Sequence, residues 1–404
     1  MNVEPDQEPD HEREGSPGSI PVIGVLGGGQ LGRMLIQEAA ARGYRCVVRT
    51  NEAPGGPASQ VAHAEFVGPY DDAAVNLVFV NACTVITSEF ENLPASLLDT
   101  LAGHVPVRPS SFSLSICQHR RREKEFLAAL RVPHAPFVVV RSADELCSAL
   151  KKVGGQGILK TAAFGYDGRG QIRLEATPRS TSGPACEASC ASAWRELGVD
   201  EAVLEGFVSF VQEISVVGAR GSDGSWVAFA PGENSHVGGV LDYTIAPARI
   251  EPIVALEAGL LTRKLADALD HVGTIGVEFF VLSDGSLIVN EMAPRPHNSG
   301  HHTIDTCTVS QFGLQLQATL GITLDEPGQH CSAIMVNLLG ELWATGEPLW
   351  SNLEGDPTVR LHLYGKAFAR SGRKMGHLTV LAQPGEHVDA HLARALAIRA
   401  GLIA

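Results

Sequence analysis

Two apolar runs, residues 275–282 and 286–290, flank Ser283-Asp284-Gly285, a tight-turn signal, and predict a hairpin of two successive strands. Each strand carries one glutamate: Glu278, in Gly276-Val277-Glu278-Phe279-Phe280, and Glu291, at the end of the second run. Apolar neighbours make solvated carboxylates on a sheet edge the weaker reading. The stronger one is a shared cation, because Mg²⁺ takes one or two carboxylates together with phosphate oxygens. The chain continues as Asn290-Glu291-Met292-Ala293-Pro294-Arg295-Pro296-His297-Asn298-Ser299-Gly300-His301. A carboxylate and an amide followed closely by a guanidinium, an imidazole and a second amide suit a metal held against phosphate, with an anion beside it.

Upstream lies a matching element. Lys160 precedes Gly165-Tyr166-Asp167-Gly168-Arg169-Gly170-Gln171, whose glycines let the backbone approach phosphates while Lys160 and Arg169 supply positive charge. A plain surface hairpin would need only Asp167-Gly168 and leave Tyr166 and Arg169 incidental. The two elements together predict a ligase that consumes a nucleoside triphosphate. Glu205-Gly206-Phe207-Val208, ending a strand, could face an adenine and ribose, with Glu213 eight residues on. Lys366, Arg370, Arg373 and Lys374 form a basic cluster between His362-x-Tyr364 and Gly376-His377. Such a run is a solvated face or, with those neighbours, a phosphate pocket.

The length of 404 residues predicts two or three domains with sizeable cores. A formal charge of −14 argues against a nucleic-acid partner, and no apolar stretch approaches a membrane span of roughly 18 residues. Eight scattered cysteines form no CxxC pair, which favours reduced thiols in a cytoplasmic protein over a disulfide or zinc framework. Residues 1–19 are acidic, lack the basic start and apolar middle of a signal peptide, and are expected to be disordered.

The remainder is α/β and α+β. A strand over 20–26 runs into Gly27-Gly28-Gly29-Gln30-Leu31-Gly32, then a helix over 33–42 and a strand over 45–49, a βαβ start with a parallel sheet. A third strand at 84–87 and a helix over 118–130 follow. Strands are expected at 137–141, 157–161, 172–174, 202–205, 212–219 and 225–230, with helices at 142–152 and 255–271. Residues 176–193 read as a low-complexity surface loop, and a smaller unit begins beyond about 325. The glycine-rich turn alone would suit a nicotinamide dinucleotide, yet the acidic residue this requires about 20 residues on is replaced by Arg49, with Glu52 late.

In combination, GGGQLGRM (27–34), TSEFENLP (87–94), FGYDGRGQ (164–171), NEMAPRPHNSGHHTID (290–305) and LYGKAFARSGRKMGH (363–377) closely resemble the N5-carboxyaminoimidazole ribonucleotide synthetase family of ATP-grasp enzymes in purine biosynthesis. The likeness runs from about residue 20 to the C-terminus; the tail and the 176–193 segment lie outside it. It implies a Rossmann-like N-terminal domain (20–118), a central ATP-grasp domain (119–325) and a small C-terminal domain (326–404). It also implies ATP-dependent carboxylation of 5-aminoimidazole ribonucleotide (AIR) by bicarbonate through carboxyphosphate.

Family ATP contacts would fall on Arg120, Lys160, Gly165–Gln171, Glu205–Val208, Glu213, His236, Asn290 and Glu291. Glu278 and Glu291 would bind magnesium, or manganese in its place. AIR would meet Gln30, Leu31, Glu89, Asn298, Lys366, Arg373 and Lys374. Arg295, His297, Lys366, Tyr166 and Arg169 would act at the reacting centre. Relatives imply a homodimer. Ser88 departs from the family, standing where many relatives carry an aromatic residue. The nearest alternative is another ATP-grasp ligase, such as a formate-dependent glycinamide ribonucleotide transformylase. An NAD-dependent oxidoreductase or a non-catalytic nucleotide-binding protein leaves more of these residues unexplained.

Overall fold

The computed structural model describes residues 20–163, 170–175 and 184–403. The acidic tail, and with it the expectation of disorder, lies outside them.

A parallel sheet comes first, in the order Ala64–Val67, Arg45–Thr50, Val22–Leu26, Val85–Ser88. Apart from the edge strand Ala64–Val67, its strands are largely buried, with helices packed on both faces. Ile23, Val25 and Val48 pack with Leu31 and Leu35 of the helix Gln30–Ala41, while Leu26, Val47 and Ile86 meet Phe79 and Leu97 on the other side. The edge strand Ala64–Val67 escaped the sequence reading, since its residues are half or fully exposed and only Phe66 and Val67 among them are bulky and apolar. At the glycine-rich turn, the Glu89 carboxylate accepts hydrogen bonds from Gly29 N (2.5 Å) and Gly32 N (2.9 Å). A Cβ at Gly29 would lie 2.5 Å from Glu89 Oε1. The helix N-terminus that would cradle a dinucleotide pyrophosphate is therefore already occupied by the Glu89 carboxyl, whose pKa burial raises. Arg49 is buried and bonded to Asn76 Oδ1 and to the carbonyls of Thr50, Gly68 and Pro69, a structural post rather than a ribose contact.

A second, antiparallel sheet runs in the order Phe137–Val140, Ala202–Gly206, Gln156–Thr161, Gln171–Glu175. The helices Ala143–Lys152 and Pro184–Leu197 pack on it. The second helix corrects the surface loop expected over 176–193: residues 176–183 lie outside the described residues, but from Pro184 on the chain is helical. Cys186, Cys190 and Ala193 are buried at helical spacing. A face made of cysteine and alanine carries little hydrophobic contrast against serine, so its period does not stand out; alanine is nonetheless the strongest helix former, and proline suits a first turn.

The third sheet has nine antiparallel strands. Its main path runs Leu287–Ala293, Gly273–Val281, Gln212–Arg220, Gly232–Val237, Val240–Ala246, Ala333–Leu339, Lys374–Leu381, Val359–Leu363, and Trp226–Ala228 pairs with Gln212–Arg220. The hairpin 232–246, absent from the sequence reading, turns at Gly238 and Gly239, both with positive φ (59° and 79°), as a two-residue turn of this kind requires. The unit beyond residue 325 does not stand apart: Ala333–Val336 pair with Tyr243–Ala246, so its strands continue the central sheet. Its loop also reaches the first domain, where Gln60 Nε2 donates to Gly365 O at 2.8 Å.

Ser113 Oγ and His271 Nδ1 are 2.8 Å apart across the first two domains, and His271 Nε2 lies 3.1 Å from Thr274 O. Because a carbonyl only accepts, Nε2 carries the hydrogen and Nδ1 accepts from the serine. Burial pushes His271 down to about 4, against an ordinary value of about 6.5. The unfolded chain therefore binds the proton more readily. This contribution to stability is complete above pH 6.5 and fades as pH falls toward 4, by on the order of 3 kcal/mol. In His271→Gln the urea midpoint should fall less steeply between pH 7 and 4.5 than in the parent; parallel profiles would contradict the assignment.

Candidate active site

A cleft of about 450 Å³ opens between the small sheet, the end of the large sheet and the N-terminal domain. Of the residues singled out from sequence, it brings together Arg120, Lys160, Gly170, Gln171, Glu213, His236, Glu278, Asn290, Glu291, Arg295, His297, Asn298 and Lys374. Gly165, Tyr166, Asp167, Gly168 and Arg169 lie outside the described residues.

Glu278 and Glu291 face each other across the predicted hairpin, which turns at Gly285. Directly opposed like charges destabilise a sheet, so their placement calls for a compensating cation. Burial and the neighbouring Glu291 push the Glu278 carboxyl up to about 7. Just beyond this pair the register shifts, because Phe279 pairs with Val289 and Asn290 bulges out. Bulges of this sort re-aim side chains beside sites. The Asn290 side-chain Nδ2 comes 3.5 Å from Glu278 Oε2, and the Asn290 backbone carbonyl accepts from Lys124 Nζ at 2.7 Å.

Cations form the facing wall. Glu205 Oε2 is 3.0 Å from Lys160 Nζ and 3.5 Å from Lys124 Nζ; Arg120 reaches Glu205 at 3.4 Å and Glu291 at 3.5 Å. Burial alone would raise the Glu205 carboxyl, but Lys124, Lys160 and Arg120 outweigh it and hold it far below the carboxylate range. Burial pushes Lys160 down, with Glu205 opposing. Glu205 thus lies behind the cleft, holding its phosphate-facing cations in place, and it does not line the cleft as expected of a nucleotide contact.

Arg295 grips Glu91 through two bonds, Nε to Oε2 and Nη2 to Oε1 (2.9 Å). Ser215 Oγ donates to Ser299 Oγ (2.7 Å), which lies 2.8 Å from His297 Nδ1, and His297 Nε2 is 3.3 Å from Glu278 Oε1. Burial, then Arg295, pushes His297 down to about 3, so the ring is neutral and its Nε2 hydrogen faces Glu278. His236 contacts the Glu213 carboxylate through Nδ1 and lies 4.0 Å from Glu278 Oε1; burial opposes its protonation, but Glu213 and Glu278 prevail and raise its pKa. Asn298 is 9% exposed, and neither of its amide atoms has a hydrogen-bond partner among the described residues. A buried amide at a cleft wall calls for a partner that the described residues do not supply.

Gln30 and Leu31 open the helix that follows the glycine-rich turn, Glu89 reaches that turn from the end of Val85–Ser88, and Lys366 and Arg373 belong to the C-terminal loop. Lys366 Nζ donates to Lys374 O at 2.7 Å, and Arg373 Nη1 to Phe368 O at 2.8 Å. Sequence reasoning missed Glu91, although it sits two residues beyond Glu89 in the same motif. It also missed Lys124 and Glu123, both buried. Burial pushes Glu123 up to about 7. In Arg120-Arg121-Arg122-Glu123-Lys124-Glu125 nothing local distinguishes the buried charges from the solvated ones.

The ATP-grasp domain family matches residues 125–312, the ribonucleotide synthetase preATP-grasp domain residues 20–118, and the phosphoribosylaminoimidazole carboxylase C-terminal domain residues 333–391. With its paired carboxylates and cationic wall, this fold defines an ATP-grasp ligase. The N5-carboxyaminoimidazole ribonucleotide synthase of Brucella melitensis is 42% identical over 369 residues, covering 90% of this chain and 96% of that one. Two solved structures are similar over 94% of this chain. The Staphylococcus aureus N5-carboxyaminoimidazole synthetase with ADP has a TM-score of 0.85, 33% identity and 97% coverage of that chain. The Aspergillus clavatus N5-carboxyaminoimidazole synthase with ADP and 5-aminoimidazole ribonucleotide has a TM-score of 0.83, 28% identity and 99% coverage. The chain belongs to the N5-carboxyaminoimidazole ribonucleotide synthase family.

Proposed function

We propose that this chain is the ATP-dependent ligase that joins AIR and bicarbonate into N5-carboxyaminoimidazole ribonucleotide, releasing ADP and phosphate, in purine biosynthesis. The observation that carries this reading is the opposed Glu278–Glu291 pair facing Lys160 and Arg120 across one cleft. The carboxylates fit Mg²⁺, which when bound supplies charge neutralisation for the triphosphate. Neutral His297 orients Glu278, and Glu91 fixes the plane of Arg295.

Bicarbonate is a poor electrophile, and phosphorylation gives it a leaving group. Lys160, Arg120 and Arg295 stabilise charge on the transferring phosphoryl, with Arg295 holding bicarbonate beside it. The AIR amine then attacks carboxyphosphate or the CO₂ it releases. Gly165–Gln171, with Tyr166 and Arg169, covers this short-lived species from water. Gly206–Val208, Glu213, His236 and Asn290 contact ATP, and Glu205 acts on it only through the cations it holds, Lys160 and Arg120. Lys366, Arg373 and Lys374 hold the AIR phosphate; Gln30, Leu31 and Asn298 contact AIR, and Glu89 braces their turn. Domain limits near 118 and 325, a cytoplasmic location and a homodimer complete the proposal.

Coupled ADP release, with AIR and bicarbonate omitted in turn and formate then offered, tests the reaction. Turnover that needs formate rather than bicarbonate would replace it with the transformylase alternative. Asn298→Leu should raise KM for AIR by about tenfold, as expected for losing a buried hydrogen bond of 1–3 kcal/mol, while the urea midpoint holds or rises because the amide has no partner to lose. An unchanged KM with a lower midpoint would assign Asn298 to the fold instead.

A further inference from the structure

A second constellation lies away from the cleft, between the two helices of the small sheet. Cys186 and Cys190 are one turn apart on Pro184–Leu197 and share a face, while Cys147 projects from Ala143–Lys152 opposite. Their sulfur atoms all lie within 4.8 Å of one another. Cys186 and Cys190 are 4% and 1% exposed and Cys147 is partly exposed, so the cluster is buried at the second helix and reaches solvent at Cys147. All three are free thiols. A disulfide would join two of them and strand the third, whereas a soft cation engages all three at once.

We propose that Cys147, Cys186 and Cys190 form a three-thiolate site for a thiophilic divalent cation of the zinc class, with solvent on the Cys147 side as fourth ligand. A tetrahedral ion with metal–sulfur bonds of about 2.3 Å sets its sulfurs about 3.8 Å apart, a spacing these side chains reach by small rotations. Three thiols lose three protons to the buffer as they bind one M²⁺, leaving a single net negative charge. Lys151, on the helix of Cys147, acts electrostatically on that thiol and offsets the charge. Burial pushes the Cys190 thiol up to about 12, so the empty site is protonated and proton release accompanies binding. Cys186 and Cys190 share their core with Leu159 and Leu174. Leu159 adjoins Lys160, so occupancy would brace the sheet that carries this cation.

The test is titration of the full chain, reduced and stripped with a chelator, with Cd²⁺ as probe. The ultraviolet thiolate-to-metal charge-transfer band reports binding, because carboxylate sites do not produce it. One ion per chain, three protons released per ion and displacement by Zn²⁺ are expected. Cys147→Ser and Cys190→Ser should each weaken binding by more than the roughly 10–100-fold that loss of an outer-shell partner costs. Cys307→Ser, at a thiol elsewhere in the fold, should leave the band unchanged. Cys147 is partly exposed, so its variant folds even where Cys190→Ser does not. The absence of a band, or a band that survives Cys147→Ser or is lost in Cys307→Ser, overturns the site.

Discussion

Replacing Glu291 with alanine is expected to abolish ADP formation, cutting it by at least about a thousandfold, since a bound cation supplies several kcal/mol of charge stabilisation. The fold should survive, because the Glu291 side chain is 44% exposed and its ion pair with Arg120, at 3.5 Å, is long. Losing it also relieves the repulsion that helps raise Glu278. The measurement is ADP release across a magnesium series, with urea denaturation alongside. Retained turnover at saturating magnesium would remove Glu291 from the metal site. Collapse of the fold would instead make the carboxylate pair a structural element.

Replacing Glu205 should have the opposite signature, a large loss of stability. Lys124 is fully buried and Lys160 is 12% exposed at the cleft, and both converge with Arg120 on this one carboxylate. Glu205→Ala leaves three enclosed cations facing one another, and breaking even a single buried pair costs about 3–5 kcal/mol. The urea midpoint should fall accordingly, and saturating ATP should recover part of the loss, because its phosphates return negative charge to the same wall. A midpoint within error of the parent would mean that solvent already screens these charges. A loss that ATP fails to reduce would separate the cluster from the nucleotide.

Much of this was legible because it depends on short-range pattern. The hairpin that carries Glu278 and Glu291 follows from two apolar runs around Ser283-Asp284-Gly285, and its register does set the two carboxylates opposite each other. The bulge at Asn290 was not legible, since it arises from how the strand meets Lys124 and Glu278. Glu91 and Lys124 were missed for a related reason: whether a charged side chain turns inward depends on partners 204 and 166 residues away. The helix at 184–197 was hidden by composition, its inward face being built from cysteine and alanine. Glu89 was picked out as a substrate contact, yet the structure turns its carboxylate into the chain's own helix end.

The seamless joining of strands 333–339 and 374–381 to strand 240–246 has a mechanical corollary. A continuous hydrogen-bonded ladder shears only at great expense, so the C-terminal unit and the carboxylate hairpin ride on one stiff plate. The four-stranded leaf that bears Lys160 is a separate sheet, and the Glu205 cluster bridges leaf to plate: Glu205 and Lys160 belong to the leaf, while Lys124 and Arg120 are bonded to the hairpin at Asn290 and Glu291.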